Sequence, residues 1–218
     1  MWTYRGVKVH WLGHDSFVLR GSNATVIIDP FKAKGDHKAD VLLISHEHSD
    51  HLSEDDIKRF TTPKTTVIAP NVCEASLSKF NMEKKFVRPG AKMDVKGVTI
   101  ETVPAYNLNK FREPGKVFHP KEDGRVGYVI TIDGVRFYHA GDSDATPEMK
   151  RLDVDVAFLP VSGTYVMTAE EAAEAAKAMK VKVAVPMHYA SIVGTKADAE
   201  RFRDLVGSVH SVEIIEQE

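Results

Sequence analysis

A six-residue window holds three of the ten histidines of this 218-residue chain. His46, His48 and His51 follow an apolar segment, and Asp50 lies among them. Alternate side chains of an extended segment point the same way, so His46 and His48 can reach one point, and a following turn can bring Asp50 and His51 to a second point nearby. Imidazole and carboxylate ligands suit zinc, manganese, iron or nickel ions. The spacing therefore predicts two adjacent positions for divalent transition metals.

Two other interpretations of this cluster stay open. A His-rich loop can simply be solvated, and a metal can serve structure alone. Structural zinc sites are usually closed by Cys ligands, and the chain has one cysteine, Cys73. The cluster is therefore more typical of a catalytic metal site, with zinc as the favoured ion and one or two ions expected.

The cluster and four further motifs resemble the metallo-β-lactamase superfamily, whose hallmark is a His-x-His-x-Asp-His loop after a strand. The resemblance is closest to a compact branch of metal-dependent hydrolases that includes ascorbate-6-phosphate lactonase and is related to N-acylphosphatidylethanolamine phospholipase D. It extends over nearly the whole chain. The further motifs are Leu12-Gly13-His14-Asp15-Ser16-Phe17, Asp29-Pro30, Tyr138-His139-Ala140-Gly141-Asp142 and Pro186-Met187-His188-Tyr189.

The resemblance implies an α+β fold, a four-layer αββα sandwich of two mixed sheets with helices on the outer faces. It also implies two metals at the edge between the sheets. Asp142 would bridge both metals, and Asp50 and Asp142 are the candidate catalytic residues. The remaining implied ligands are His46 and His48 for the first metal, and Asp50, His51 and His188 for the second.

One position departs from the family pattern. The third ligand of the first metal is a His shortly after a strand, and the corresponding segment, 103–107, offers Asn107 instead. A neutral amide oxygen is a poorer partner for a metal that prefers nitrogen. The departure predicts a weak or empty first site, unless His119 from the following loop substitutes for the missing imidazole.

Two residues near the motifs have candidate supporting roles. Asp29 ends a predicted strand, and a carboxylate there can accept a hydrogen bond from a ligating imidazole and fix its tautomer. The other interpretation of Asp29 is a turn residue. His14 follows Gly13 in a turn, and it is either close to the metal site or an ordinary turn residue.

Other candidates carry weaker signals. Lys110 and Arg112 follow Asn107 and could hold an anionic substrate, or they could belong to a solvated loop. Three histidines have no cluster around them in the sequence and are expected to be solvated or in the core: His10, His37 and His210.

Together these residues predict a metal-dependent hydrolase that acts on a small molecule. A bound metal lowers the pKa of water from 15.7 to about 7 and polarises the bond under attack, so metal-bound hydroxide is the expected nucleophile. The sequence leaves ester, lactone and phosphodiester bonds open. The alternative function is a non-catalytic metal-binding or regulatory module of the same fold, with an incomplete first metal site.

Strands must position most of these residues, because short runs rich in Val, Ile and aromatic residues precede them. A long loop, 105–125, separates the two halves. The predicted strands are 7–12, 16–19, 24–29, 41–44, 65–69, 98–103, 128–132, 135–138, one beginning near 156, 183–185 and 212–215.

Capping patterns indicate the helices. Ser53 with Asp56 precedes a helix that runs to residue 60, and Asn71 with Glu74 precedes a helix over 75–80. Thr168 begins a helix to residue 179, with an alanine-rich face suited to close packing on a sheet. A fourth helix is predicted over about 198–206.

Composition excludes several functional classes. Lys and Arg number 29 against 31 Asp and Glu, giving a net charge of -2, so generic nucleic-acid or anionic-membrane binding is not expected. One cysteine permits no internal disulfide. With no long apolar segment and no leader pattern, we expect a cytoplasmic protein with a single domain over residues 1–218. The oligomeric state is left open.

Overall fold

Two seven-stranded β-sheets form the centre of the structure, a computed structural model that describes all 218 residues. In the first sheet the strands follow chain order from β1 to β7, antiparallel up to β4 and parallel after it. The strands of this sheet are β1 Trp2–Tyr4, β2 Val7–Gly13, β3 Ser16–Arg20, β4 Thr25–Ile28, β5 Val41–Leu43, β6 Thr66–Pro70 and β7 Glu83–Val87.

The later strands form the second sheet and a separate two-stranded hairpin. They are β8 Lys92–Val95, β9 Val98–Pro104, β10 Phe111–Glu113, β11 Lys116–Val117, β12 Val126–Ile132, β13 Val135–His139, β14 Asp153–Pro160, β15 Lys180–Met187 and β16 Ser211–Val212. The sheet order is β16-β15-β14-β13-β12-β9-β8, and β10 pairs only with β11. Strands β13 to β16 are parallel, and the others in the sheet are antiparallel.

Four α-helices flank the sheets: α1 Glu54–Phe60, α2 Glu74–Leu77, α3 Ala169–Ala178 and α4 Lys196–Val206. Ser53 caps α1 by accepting from the Asp56 amide. Thr168 and Glu171 form a full capping box at α3, which satisfies two amides that a helix start leaves free. None of the helices is long and apolar enough to cross a membrane.

Neighbouring residues of one strand face different layers, as the two-residue period of a strand requires. In β4, Val26 and Ile28 join the large core between the sheets, whereas Ile27 packs with Ile57 and Leu77 on the side of α1 and α2. Helices α3 and α4 cover the second sheet. The order is helices, sheet, sheet, helices, so the predicted four-layer sandwich with two mixed sheets is confirmed.

Some local predictions were wrong. Asn71 does not cap α2, because residues Asn71–Cys73 form a 3₁₀ turn and α2 has only four residues. The segment 105–125 contains the hairpin β10–β11. Strands β7 and β8 were not predicted because about half of their residues are charged, and exposed side chains hide the alternation of a half-buried strand.

Candidate metal centre

The residues singled out in the sequence lie at one end of the sandwich, just after strands of both sheets. The loop after β5 carries His46, His48 and His51, and Asp142 follows β13. His188 follows β15. Parallel neighbours such as β4 and β5, or β13 and β15 on either side of β14, present their carboxyl ends at the same edge. The fold therefore gathers these residues where the two sheets meet.

Four side chains form the first group of donor atoms: His46, His48, His119 and Asp142. One donor atom from each lies within 4.8 Å of all the others. His46 Nε2 is 3.1 Å from His48 Nδ1, and His119 Nε2 is 3.5 Å from both His48 Nδ1 and Asp142 Oδ2. Three imidazoles and one carboxylate thus converge.

A second group lies beside the first and contains His14, Asp50, His51 and His188. Their donor atoms also lie within 4.8 Å of one another, and His14 Nε2 is 3.2 Å from Asp50 Oδ2.

Asp142 connects the two groups. Its Oδ1 lies 3.2 Å from His51 Nε2 and 3.3 Å from His188 Nε2. Its Oδ2 faces His46 Nε2 at 3.9 Å and His119 Nε2 at 3.5 Å. Each carboxylate oxygen therefore faces one group, which is the arrangement that a bridging ligand needs.

Four of the imidazoles are oriented through Nδ1 by a polar neighbour. The Ser45 hydroxyl accepts from His46 at 2.9 Å, and the Asp29 carboxylate accepts from His51 at 2.9 Å. Asn107 Oδ1 accepts from His119 at 3.0 Å, and the Ser162 hydroxyl accepts from His188 at 2.9 Å. A proton held on Nδ1 leaves Nε2 free to face the centre, the usual arrangement of metal-binding histidines.

Burial keeps several of these imidazoles neutral. It lowers the pKa of His119 and of His14 to about 4, and it lowers the pKa of His46 well below its ordinary value. A metal binds the unprotonated nitrogen. At neutral pH these three side chains are therefore in the form that can bind a metal.

At His51 and His188, nearby carboxylates raise the pKa, whereas burial lowers the pKa of the other three imidazoles. Burial opposes the charged form of His51, but the carboxylates of Asp142 and Asp29 outweigh it and raise the pKa well above its ordinary value. Asp142, together with Asp15, raises the pKa of His188 against burial in the same way. His51 and His188 in turn hold the pKa of Asp142 well below its usual range, although burial alone would raise it. In the metal-free protein, the charged forms of His51 and His188 are therefore favoured beside the Asp142 carboxylate.

Unpaired buried atoms provide a test of whether a metal fits here. Nine buried side-chain nitrogen or oxygen atoms in the chain make no hydrogen bond, and six of them lie in this centre. Buried polar atoms are rarely left without a partner, so their convergence on one place fits bound cations. The six are His14 Nδ1, Asp15 Oδ1 and Oδ2, His51 Nε2, Asp142 Oδ1 and His188 Nε2.

Three residues of the centre have a strained backbone conformation. His14, Asp29 and His188 have φ values of 51°, 42° and 59°, in the left-handed region that costs a non-glycine residue roughly 1–2 kcal/mol. Each directly follows a strand. The strain lets a strand end turn its side chain into the space between the sheets.

The predicted residues divide clearly in the structure. His119 lies with His46 and His48, so the first group has a third imidazole. Asn107 lies behind His119, where its amide oxygen accepts from His119 and its amide nitrogen donates to Tyr165 O at 2.8 Å.

Sequence reasoning missed two residues and misjudged two others. Ser162, which contacts His188, and the buried carboxylate of Asp15 had no assigned role. Nothing in the local sequence marks Ser162, whereas Asp15 lies next to His14 in a motif already noted. His10 and His37 are not isolated, because both contact Glu218.

Comparison with known protein families gives one clear match. A family model described as "Beta-lactamase superfamily domain" matches residues 8–188. Two curated relatives are named metal-dependent hydrolases. The one from Archaeoglobus fulgidus is 32% identical, covering 92% of this chain and 90% of its own. The one from Thermococcus onnurineus is 34% identical, covering 96% of both chains.

Solved structures agree. A protein from Parabacteroides distasonis is 34% identical and superposes with a TM-score of 0.84, covering 97% of this chain and 94% of its own. A metallo hydrolase from Ignicoccus hospitalis shares the fold with a TM-score of 0.78 at 24% identity, covering 96% and 95% of the two chains. These matches confirm the superfamily predicted from the motifs. The nearer resemblance to ascorbate-6-phosphate lactonase stays a prediction.

Proposed function

Because the chain belongs to the beta-lactamase superfamily, and within it to a family of metal-dependent hydrolases, we propose that it hydrolyses an ester or lactone bond of a small molecule. The observation that carries the proposal is the pair of donor groups that share Asp142, with one carboxylate oxygen facing each group. Two adjacent metal positions are typical of hydrolytic centres.

The proposed ligand sets follow the two groups. Three imidazoles and one carboxylate at the first position suit a four-coordinate ion such as zinc. Divalent ions held at these positions would acidify a bound water and polarise the bond under attack. The sets are His46, His48, His119 and Asp142 at the first position, and His14, Asp50, His51, Asp142 and His188 at the second.

The protein leaves one side of the centre open to solvent. The His48 side chain is 43% exposed and that of Asp50 is 22% exposed, whereas His46, His51 and His188 are buried. Although burial alone would raise the pKa of Asp50, its hydrogen bond with His14 lowers it to about 2. Asp50 therefore stays ionised on the side from which a substrate approaches.

Two basic side chains near the centre, Lys110 and Arg125, already have acidic partners. Lys110 Nζ lies 2.6 Å from Glu171 and 3.3 Å from Asp144, and Arg125 pairs with Glu47 and Asp123. Protein sites that bind phosphate commonly offer charge-assisted hydrogen bonds from Arg or Lys. Because Lys110 and Arg125 are already paired with carboxylates, an uncharged ester or lactone fits the centre better than a phosphodiester.

Exposed apolar side chains lie on the loops that carry or contact Asn107 and His188. Leu108 and Phe111 belong to the segment before His119, and Ile192 follows His188. Tyr165, whose carbonyl accepts from Asn107, is 43% exposed. Large exposed apolar groups beside a polar centre suit a substrate with an apolar part.

The non-catalytic alternative drew its support from Asn107. The place of His119 beside His46 and His48 weakens that support, because the first group has four donors without an imidazole at position 107.

Hydrolysis of a substrate panel tests the proposal. The metal-loaded protein should cleave chromogenic aryl esters or lactones faster than bis(aryl) phosphodiesters, and Asp142→Asn or a chelator should abolish the activity. The exposed Asp55→Asn serves as the matched control and should keep it. Cleavage of phosphodiesters alone would contradict the bond class. No cleavage of any member of the panel by metal-loaded protein would contradict hydrolysis itself.

A further inference from the structure

Arg125 is a buried cation that lies between two loops of the proposed centre. Its side chain is 7% exposed. Nε donates to Glu47 Oε2 at 3.1 Å, Nη2 donates to the other carboxylate oxygen of Glu47, and Nη1 donates to the carbonyl of Phe118 at 3.3 Å. All three guanidinium nitrogens therefore have partners in the protein, and the side chain joins the loop after β5 to the segment after β11.

Both partners of Arg125 lie next to donors of the first group. Glu47 lies between His46 and His48, and Phe118 directly precedes His119. His48 and His119 are 71 residues apart in the chain, yet His48 Nδ1 and His119 Nε2 are only 3.5 Å apart. A single guanidinium thus contacts the chain neighbours of two imidazoles that must converge from different loops.

His48 has the least direct support among the imidazoles of the first group. Its Nδ1 faces His46 and His119, whereas its Nε2 lies 3.9 Å from Glu47 Oε1, which is too far for a hydrogen bond. The side chain is also 43% exposed. The direction of this imidazole therefore depends on its main chain, which the pair of Glu47 and Arg125 ties to the second sheet.

The main chain at Arg125 is itself held in place. The Arg125 carbonyl accepts from the Ala105 amide at 3.1 Å. The next residue, Val126, begins β12, and its amide donates to the Ser45 carbonyl at 3.2 Å. The guanidinium therefore extends from a fixed point at the end of a strand toward both loops.

Neutralisation of a buried charge does not by itself explain these contacts. Asp123 Oδ2 lies 3.3 Å from Nη2 of Arg125 and already supplies a negative charge from the same segment. Glu47 instead accepts two parallel hydrogen bonds, a geometry that a guanidinium forms and an ammonium does not. The Phe118 carbonyl is uncharged. The contacts therefore suit a residue that fixes the separation of two loops.

We propose that Arg125 is a positioning residue of the first metal position, where it holds His48 and His119 at the separation that lets both bind one ion. The inference rests on the proposed metal centre. Arg125 acts through Glu47 and Phe118 and does not touch the ion.

The second position should not depend on Arg125, because its imidazoles have their own supports. Asp29 accepts from His51 at 2.9 Å, and the Ser162 hydroxyl accepts from His188 at 2.9 Å. Loss of the guanidinium should therefore affect the two positions unequally, which a general loss of stability would not do.

The first test measures metal affinity by chelator competition in Arg125→Lys, which keeps the charge and loses the planar fork. The first position should bind metal about 10–100-fold more weakly, the usual effect of losing an indirect support of a ligand. In His119→Ala, which is expected to keep only the second position, adding Arg125→Lys should leave the affinity unchanged.

Arg136→Lys is the matched control. Arg136 also joins a carboxylate and a carbonyl, at 2.9 Å from Glu101 and 3.1 Å from the oxygen of Asp153, but it lies at the end of β13 away from Asp142. Its substitution should change neither affinity. Unchanged affinity at the first position of Arg125→Lys, or an equal loss at both positions, would overturn the proposal.

Glu47→Gln tests the proposal independently, and it decides the matter if Arg125→Lys does not fold. The amide cannot accept both hydrogen bonds, while Arg125 keeps its contacts with Asp123 and Phe118. The first position should lose about tenfold in affinity, and the second position should not change. Glu101→Gln, at the carboxylate partner of Arg136, is the control. Equal affinities in the wild-type protein and Glu47→Gln would overturn the proposal.

The outcomes separate this proposal from the proposed function, because metal affinity and hydrolysis are measured independently. Wild-type protein that hydrolyses the ester panel, with Arg125→Lys binding both ions as tightly as wild type, overturns the role of Arg125 and supports the hydrolase. Wild-type protein that binds two ions but hydrolyses nothing, with Arg125→Lys impaired only at the first position, supports the role of Arg125 and overturns the hydrolase.

Discussion

At the first donor group, His119 and Asn107 together take the place of the histidine that the family pattern has at position 107. His119 supplies the imidazole, and Asn107 accepts from both its main-chain amide and its Nδ1, at 2.9 and 3.0 Å. In the proposed centre, His119 is the third imidazole ligand, and Asn107 holds it in place. Asn107 is therefore better explained as a residue that orients His119 than as a weak ligand.

Removal of that support gives the first prediction. Asn107→Ala should weaken metal binding at the first position about 10–100-fold, the usual effect of losing a residue that orients a ligand. Chelator competition measures this affinity. Asn109→Ala, in the same loop but bonded to Glu171, is the control and should leave it unchanged. Equal affinities for the two variants would show that Asn107 does not orient a ligand.

Metal uptake should also release protons from His51 and His188. The carboxylates around them raise the pKa of both against burial, so in the metal-free protein they keep protons at pH values where an ordinary histidine has lost them. An ion must displace these protons. Affinity should therefore continue to rise above about pH 7.5, where a site of ordinary histidines with a pKa near 6.5 would level off.

The folding stability of the metal-free protein should change with pH in the opposite direction to the metal affinity. The protons on His51 and His188 stabilise the fold fully below about pH 6.5, and this contribution is lost as the pH rises through their raised pKa values.

Proton release on metal binding can be measured directly. Titration calorimetry in two buffers of different ionisation enthalpy counts the protons that His51 and His188 release when the metal binds. A metal affinity that is constant from about pH 6 to 9 would contradict the prediction.

Many of the candidate site residues could be predicted from the sequence, because short motifs contain the His46 to His51 spacing, Asp142 and His188. His119 was named from the sequence as a substitute for an imidazole at position 107, but its hydrogen bonds with Asn107 could not be predicted, because they depend on how the chain folds back over twelve residues. Ser162 and Asp15 were missed for a related reason. Ser162 contacts His188 between the ends of two neighbouring strands, and Asp15 of the first sheet lies near His188 of the second, so the local sequence does not show either contact.

Among the elements, the tight turns that follow the strands determine where the site residues point. Gly141 precedes Asp142 with a φ of 60°, and a Cβ atom there would lie 3.0 Å from the Ser45 Cβ and 3.2 Å from the carbonyl oxygen of Val126. Only glycine fits this turn without displacing the loop that carries His46.

Substitution at this turn gives a matched pair of variants. Gly141→Ala and Gly134→Ala both place a methyl group at positive φ and should each cost roughly 1–2 kcal/mol of stability. Nothing lies within 4 Å of a Cβ at Gly134, so only Gly141→Ala should also weaken metal binding. Thermal melts and chelator competition separate the two effects. Unchanged metal affinity in Gly141→Ala would show that the turn does not position Asp142.

Elements were predictable where one signal dominated. The alanine-rich face and capping box of α3 and the short apolar runs of β2 to β4 identify these elements from sequence. The hairpin β10–β11 has three exposed residues in its first strand, and α2 is stabilised by Leu77 packing in the core and not by a cap. Tertiary contacts decide such elements, and the local sequence does not contain them.

At the scale of the whole molecule, the proposed metals join the two sheets. The loop with His46 and His51 extends from the first sheet, and Asp142 and His188 extend from the second. An ion that binds ligands from both sheets stabilises only the folded state, because the unfolded chain does not bring them together.

Metal removal should therefore lower the melting temperature. A ligand present at 100 times its Kd stabilises a protein by about 2.7 kcal/mol, and each kcal/mol moves the melting temperature of a protein of this size by about 2–4 °C. We expect a decrease of roughly 5–10 °C on chelation. Differential scanning calorimetry measures it, and Asp142→Asn, which lacks the shared ligand, should show a much smaller change. An unchanged melting temperature on chelation of the wild-type protein would contradict the claim that the ions join the sheets.

The central claim is that two adjacent metal positions share Asp142 and that His119 completes the first. Elemental analysis of purified wild-type protein and of His119→Ala, after saturation with metal and removal of the excess, tests it most directly. The account predicts two equivalents of metal per chain in the wild-type protein and one in His119→Ala. A single equivalent in both proteins would contradict it.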